Sequence, residues 1–157
     1  MKVDYRTDTG KRRSHNEDSI IVDRERGIFL LADGMGGHQA GEVASRMAVE
    51  VAHEHLSSSL KPDNTDAELF QLLTTALFKA HHSIKISSTE DNLSLMGMGT
   101  TLVLTLVRND IAYICHAGDS RAYLIRKDII KQITKDQTWG NYLIERKKVA
   151  REKVPPQ

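Results

Sequence analysis

The sequence predicts an α+β fold, an antiparallel β-sandwich flanked by helices. Short apolar or alternating segments of strand length stand toward both ends of the chain, and two segments of helical period lie between them. The strand-like segments follow one another across turns of a few residues, as strands in hairpins do. A doubly wound parallel sheet would instead alternate each strand with a helix. The 157 residues have the length of one domain, which can bury roughly 68–70% of its unfolded surface.

Three strands are predicted in the first part of the chain. The first covers Val3–Thr7, and the next two cover Ser19–Asp23 and Gly27–Asp33. A short polar turn joins the second strand to the third, so we expect them to form a hairpin. In that hairpin Asp18 and Asp33 lie at the same end of neighbouring strands, and we expect their side chains to converge.

Two amphipathic helices are predicted in the middle of the chain. Apolar residues recur at three- and four-residue steps from Gly41 to about Leu60, which indicates the first helix. The sequence Thr65-Asp66-Ala67-Glu68 has the form of a capping box and begins the second helix. Because the connection is short, we expect the helices to pair antiparallel. The apolar face of the second helix consists of Phe70, Leu73, Leu77, Ala80 and Ile84.

Three further strands are predicted in the second half of the chain. They cover Thr100–Arg108, Ile111–Ala117 and Arg121–Arg126. An Asn-Asp pair and a Lys-Asp pair supply hairpin turns. The charged tail Lys135–Gln157 contains the only tryptophan, Trp139, and is expected to form part of a helical flap on the surface or an irregular end.

Composition and charge argue against several classes of partner and location. The 22 basic and 21 acidic residues give a net charge of +1, which does not attract nucleic acid or an anionic membrane. The first thirteen residues are highly charged, unlike a secretory signal. The longest apolar run, near Leu102–Val107, is far shorter than the ~20 residues that span a bilayer. The single cysteine, Cys115, fits a reducing compartment, so we expect a cytoplasmic protein.

The residues that point to chemistry are acids at the ends of predicted strands. Asp33 follows a buried strand and opens a glycine turn, Asp18 precedes the neighbouring strand, and Asp119 follows a third strand in another glycine turn. Carboxylate oxygens, together with the main-chain carbonyl of Gly34, favour hard cations such as magnesium, manganese or calcium. Aspartate beside glycine is also ordinary turn chemistry. Three such acids at three strand ends nevertheless favour a metal site.

Five separated segments of the chain form a recognisable series. They are Gly10 with Arg13, the string Asn16-Glu17-Asp18-Ser19, ADGMGGHQAGEVAS at Ala32–Ser45, MGTT at Met98–Thr101, and HAGDSRAY at His116–Tyr123. In this order they resemble the type-2C, metal-dependent serine/threonine protein phosphatases, and the DGMGGH loop is similar to that of bacterial members. The resemblance implies hydrolysis of phosphoserine and phosphothreonine in phosphorylated protein substrates. It also implies a sandwich in α-β-β-α layers, flanked by helix pairs.

The resemblance implies roles for particular residues. Asp33 matches an aspartate that bridges two manganese or magnesium ions, Gly34 matches a carbonyl ligand, and Asp18 matches the acid beside the second ion. Asp119 matches a residue linked to a third, weaker ion. Arg13 matches the arginine that holds the substrate phosphate, and a planar guanidinium can bind two phosphoryl oxygens at once.

The implied reaction uses a metal-activated water and no protein nucleophile. The leaving alkoxide needs a proton, and His38 is the nearest candidate in the sequence. Some relatives place a histidine immediately after the Asp-Gly pair, whereas here Met35, Gly36 and Gly37 intervene. We therefore expect His38 either to donate that proton or to contact the substrate.

The resemblance covers the front part of a phosphatase domain. Family members carry two further metal-binding aspartates downstream, in SDG and DN segments, and these 157 residues end before both. Where relatives usually read Asp-His, this chain reads Asp136-Gln137. We interpret residues 1–157 as a truncated catalytic domain, with core strands and the first helix pair in 1–134 and the start of a flap-like segment in 135–157. An uncovered sheet face then predicts poor solubility or self-association.

Two other functions are compatible with the same residues. One is a non-catalytic phosphoprotein-binding or regulatory module that kept Arg13 and the glycine loop but lost turnover. The other is a magnesium-assisted hydrolase of a different phosphate ester. Cys115 and Arg121 have the spacing of a cysteine-dependent tyrosine phosphatase. That chemistry is not favoured, because Cys115 lies inside a predicted apolar strand rather than in a phosphate-binding loop.

Overall fold

The structure is a computed structural model that describes residues 1–36, 40–88 and 94–146. Its elements are the strands β1 (Asp18–Asp23), β2 (Ile28–Met35), β3 (Gly99–Thr100), β4 (Leu102–Arg108), β5 (Ile111–Ala117), β6 (Tyr123–Arg126) and β7 (Ile129–Gln132), and the helices α1 (Ala40–Ser59), α2 (Asp66–Ser87) and α3 (Trp139–Glu145). The fold is α+β, as predicted.

An antiparallel sheet with two helices on one face forms the centre of the fold. The strands lie in the order β1-β2-β4-β5, and the short strand β3 pairs with the end of β2. β1 and β2 form the predicted hairpin, in which Asp18 lies directly opposite Asp33. β4 and β5 form a second hairpin, and its turn residues Asn109 and Asp110 both have positive φ, as a tight hairpin turn requires. β6 and β7 pair separately.

The hydrophobic core lies between the sheet and the helices α1 and α2. Alternate residues of β2 are buried against the helices, as the two-residue period of a strand requires. Ile84, near the end of α2, packs beside Ala40 and Ala44 at the start of α1, so the two helices run antiparallel as predicted. The largest fully buried apolar side chains are Ile28, Leu30, Leu56, Leu69, Leu73, Leu104 and Leu106.

The start of α2 has the capping box that the sequence predicts. The amide of Glu68 donates to the Thr65 hydroxyl over 3.3 Å, and the amide of Thr65 donates to the Glu68 carboxylate over 2.7 Å. The buried face of α2 differs from the prediction, because it includes Leu69 and Ala76 and leaves out Phe70. Phe70 is 51% exposed and contacts the ring of Tyr113 edge-on, while its neighbour Leu69 is buried.

Two further differences from the prediction concern strands. Within the described range 1–36, Val3–Thr7 forms no strand, so that prediction was wrong. Its alternating pattern indicates an extended chain, but side chains rather than a neighbouring strand hold this segment in place. The Arg24 guanidinium, for example, donates to the Val3 carbonyl over 2.9 Å. The strand β7 was not predicted, and β2 continues past Asp33 because β3 pairs with its last two residues.

The face of the sheet opposite the helices is also apolar. Residues 1–6 lie over part of this outer face, and Leu31 remains 42% exposed. All residues of β6 and β7 are exposed as well. Side chains of the outer face include Ile20, Val22, Phe29, Leu31, Val103 and Val107.

None of the helices within the described ranges has the length and apolar character needed to cross a bilayer.

His55 lies on α1 where α2 packs against it. Its Nδ1 is 3.1 Å from the Nζ atom of Lys79 and 3.5 Å from the Ser59 hydroxyl. Its Nε2 is buried and has no hydrogen-bond partner in the part of the chain that the structure describes. Burial, and then the positive charge of Lys79, lower the pKa of His55 below its ordinary value.

We expect His55 to make the fold less stable as the pH falls below about 6.5, the ordinary histidine pKa. The unfolded chain takes up a proton there before the folded chain does, so stability is lost until the pH passes the lower folded pKa. His55→Gln removes this titration. The difference in melting temperature between pH 7.5 and pH 5.5 should therefore be smaller in that variant. His81→Gln, at an exposed position of α2, is the control, and an equal change in both variants would contradict the assignment.

Candidate active site

The main chain of Asp33 is fixed on β2 while its carboxylate is exposed. Its amide donates to the Thr101 hydroxyl over 3.0 Å, and its carbonyl accepts from the Thr101 amide over 2.9 Å. The Thr100 hydroxyl also donates to that carbonyl, over 2.9 Å. The carboxylate therefore projects from a rigid support.

Gly34 lies where β2, the start of α1 and the segment before β1 meet. Its amide donates to the Glu17 carbonyl over 3.1 Å. A Cβ atom at position 34 would lie 2.1 Å from the carbonyl oxygen of Gly41 and 2.7 Å from that of Glu17. Only glycine permits this close approach of three main-chain segments.

A cleft of about 1180 Å³ opens beside these residues. Four predicted site residues from separate segments of the sequence line it, namely Arg13, Asp33, Gly34 and Asp119. They come from the segment before β1, from β2 and from the loop after β5, so the fold brings them to one place. The other lining residues are Arg12, Ser14, His15, Glu17, Met35, Gly36, Ser94, Met96 and Thr101.

Asp18 lies directly opposite Asp33 in the hairpin, as predicted, and its negative charge acts on Asp33. Its carboxylate accepts from the Thr7 hydroxyl over 3.3 Å, and its expected role as a metal ligand stays a prediction. Glu17, which was not predicted as a site residue, also lines the cleft. The signal that could have indicated it is its place beside Asp18 in the string Asn16-Glu17-Asp18-Ser19.

The surroundings of Asp33 raise its pKa above the ordinary value. The largest cause is partial desolvation of the carboxyl group by the surrounding protein, followed by the negative charge of Asp18, and the charges of Asp119 and Glu17 act in the same direction. The positive charge of Arg13 opposes them. A bound cation reduces the electrostatic repulsion between carboxylates that lie this close together. The oxygen-only donor set therefore fits manganese or magnesium.

The described residues supply only part of a metal coordination sphere. Within residues 1–36, 40–88 and 94–146, no three His, Cys, Asp or Glu side chains lie close enough together to hold a metal ion. Magnesium takes about six ligands, so water or residues outside these ranges would complete the shell. His38 lies outside the described residues, and its expected role stays a prediction.

The loop that carries Asp119 is tied to the segment before α3. The Gln137 amide donates to the Gly118 carbonyl over 2.9 Å, and the Gly118 amide donates to the Gln137 side chain over 3.3 Å. Arg121 donates through Nε to both carboxylate oxygens of Asp136, at 3.0 Å each. The Asp136-Gln137 pair thus supports this loop.

The same contacts argue against a cysteine-dependent site. Arg121 is engaged with Asp136, and Cys115 lies within β5, where burial raises the pKa of its thiol. A nucleophilic cysteine needs a lowered pKa.

Residues 8–152 match the family model described as protein phosphatase 2C. The chain belongs to this family. This protein phosphatase 2C chain is 35% identical over 158 residues to the serine/threonine phosphatase stp of Listeria innocua, covering 97% of this chain and 61% of that protein. It is 38% identical over 154 residues to the serine/threonine protein phosphatase PstP of Mycobacterium tuberculosis, covering 98% of this chain and 28% of that protein.

Solved structures of PstP have the same fold over most of this phosphatase 2C chain. The structure of Mycobacterium tuberculosis PstP/Ppp has a TM-score of 0.76 at 37% identity, covering 94% of this chain and 59% of that one. The PstP catalytic domain in complex with two manganese ions has a TM-score of 0.74 at 36% identity, covering 94% and 60%. The chain thus spans about 60% of these structures.

We expect Gly34→Ala to destabilise the fold by about 3 kcal/mol or more, because its new methyl group meets main-chain atoms that cannot move aside. Gly41→Ala is the matched control. Its methyl group would approach the Glu17 carboxylate at 2.8 Å, which is the end of a flexible side chain, and would come no closer than 3.1 Å to the main chain, at the carbonyl carbon of Gly34. Alanine also favours the helix by up to about 1 kcal/mol. We expect its cost to stay below about 1 kcal/mol. Urea unfolding compares the two, and equal costs would contradict this explanation.

Proposed function

We propose that the protein is a cytoplasmic, metal-dependent phosphatase that hydrolyses phosphoserine and phosphothreonine in other proteins. The observation that carries this proposal is the cleft in which Arg13 lies with Asp33, Gly34 and Asp119. A guanidinium beside several carboxylates suits a phosphate group accompanied by cations. Membership of the phosphatase 2C family and the similarity to stp and PstP support it.

Asp33, Asp18 and the carbonyl of Gly34 would hold two manganese or magnesium ions, and Asp119 would serve a third. The manganese-bound PstP structure supports this choice of ion. Bound ions of this kind lower the pKa of a coordinated water and neutralise negative charge that develops on the phosphate.

The protein's own residues bind and orient the substrate. Arg13 would hold two phosphoryl oxygens through its planar guanidinium. Asp33 keeps its place through the hydrogen bonds of its amide and carbonyl with Thr101. We propose that His38 either protonates the leaving alkoxide or contacts the substrate.

We also propose that residues 1–157 are the N-terminal part of a catalytic domain that is an α-β-β-α sandwich. Core strands and the first helix pair would occupy 1–134, and a flap-like segment would begin in 135–157. The apolar outer face of the sheet supports this arrangement, because a second sheet would bury it. The coverage of 61% of Listeria stp also supports it.

The second candidate is a phosphoprotein-binding or regulatory module without turnover. It is favoured by the finding that no three acidic, histidine or cysteine side chains gather around one point within the described ranges. Such a module would use Arg13 and the cleft to bind phosphate without hydrolysing its ester.

We expect the protein, in its longest natural form, to hydrolyse p-nitrophenyl phosphate and a phosphothreonine peptide only when manganese or magnesium is present. Asp33→Asn should reduce kcat/KM at least ~100-fold, because the charge that holds the cations is lost. Cys115→Ser should leave the rate within about twofold, because the thiol takes no part. Binding of the phosphopeptide without hydrolysis would instead support the module.

We expect the 157-residue chain to self-associate, because its outer sheet face and the hairpin β6–β7 expose apolar side chains. Size-exclusion chromatography with light scattering should show dimers or larger species at micromolar concentration. Replacing Leu31 and Ile130 by Lys should shift the distribution toward monomer. A compact monomer of the unmodified chain would contradict this expectation.

A further inference from the structure

Thr101 connects the two parts of the cleft that carry Asp33 and Asp119. It is the last residue of the MGTT segment and lies between β3 and β4. Its side chain is polar, but the residue is only 8% exposed. It lines the cleft together with both aspartates.

The first connection of Thr101 is to the main chain of Asp33. The Asp33 amide donates to the Thr101 hydroxyl over 3.0 Å, while the Thr101 amide donates to the Asp33 carbonyl over 2.9 Å. These two bonds run in opposite directions between the same residues. They fix the main chain from which the Asp33 carboxylate projects.

The second connection of Thr101 is to the loop that carries Asp119. The Thr101 and Ser120 hydroxyl oxygens lie 2.7 Å apart. Since the Thr101 oxygen already accepts from the Asp33 amide, its own hydrogen is available for Ser120, and a hydroxyl can do both at once. The methyl group of Thr101 lies where a side chain of Gly118 would project, because a Cβ there would be 2.7 Å from it. Thr101 therefore contacts the residues on both sides of Asp119.

We propose that Thr101 is a positioning residue that sets the placement of Asp33 relative to Asp119 through its hydroxyl group. It acts through these two aspartates rather than on the substrate. Its effect on cation binding rests on the function proposed above, whereas its effect on the two main-chain segments does not. Residues that orient metal-binding groups in this way commonly change metal affinity by about 10–100-fold when they are replaced.

Three variants separate the hydroxyl from the shape of the side chain. Thr101→Val keeps the shape and removes the hydroxyl, whereas Thr101→Ser keeps the hydroxyl and removes the methyl group. Thr105→Val removes a hydroxyl from β4 on the outer face, away from the cleft, and is the control. All three are made in the longest natural form of the protein.

The first measurement is hydrogen–deuterium exchange by mass spectrometry, which does not depend on activity. In Thr101→Val we expect exchange to accelerate at least about threefold both in the segment containing Asp33 and in the segment Gly118–Ser120, because both lose the shared partner. Thr101→Ser should restore protection in both segments. The proposal is overturned if only one segment responds, if neither does, or if Thr105→Val has the same effect.

The second measurement is the manganese concentration that gives half-maximal hydrolysis of p-nitrophenyl phosphate. We expect it to rise about tenfold or more in Thr101→Val and to return to within about threefold of the unmodified value in Thr101→Ser. A lower melting temperature with unchanged manganese dependence would show a merely structural role and overturn the proposal. If the unmodified protein shows no manganese-dependent hydrolysis, the proposed function fails, and the exchange experiment still decides the role of Thr101.

Discussion

The close packing of three main-chain segments around Gly34 is the constraint on which the cleft depends. β2, the first turn of α1 and the segment before β1 approach one another so closely that a side chain at position 34 would overlap the Gly41 carbonyl. This contact brings Glu17 and Arg13 beside the strand that carries Asp33. The sheet and helices bury the hydrophobic core, but the contact at Gly34 determines which polar side chains line the cleft.

Much of the fold could be predicted because its signals are local and periodic. The hairpin β1–β2 follows from two apolar runs joined by a polar turn, and the start of α2 follows from the capping box at Thr65. The prediction of a strand at Val3–Thr7 was wrong, because alternating apolar and polar residues indicate an extended chain but do not show that a neighbouring strand pairs with it. β7 was not predicted because it is a strand of only four residues, all of them exposed. Phe70 has the helical period of the buried face but lies at its edge.

The candidate site was predictable to the extent that its acids stand at strand ends. Asp33, Gly34 and Asp119 reach the same cleft because β2 and the loop after β5 meet at one end of the sheet. Glu17 was missed because the hairpin register places Asp18, not Glu17, opposite Asp33, whereas Glu17 reaches the cleft from the segment before β1. The contacts of Thr101 with Asp33 and Ser120 span 68 and 19 residues of sequence, and such separations leave no local pattern.

The paired hydrogen bonds between Gln137 and Gly118 also have a mechanical consequence. Gln137 directly precedes Thr138, the residue that caps α3, and Asn141 on that helix donates to the Asp136 carbonyl over 3.0 Å. A displacement of this small surface helix would therefore be passed through Gln137 to the glycine next to Asp119. Substitutions on the outside of the molecule would in this way alter the candidate site while every side chain that lines the cleft stays the same.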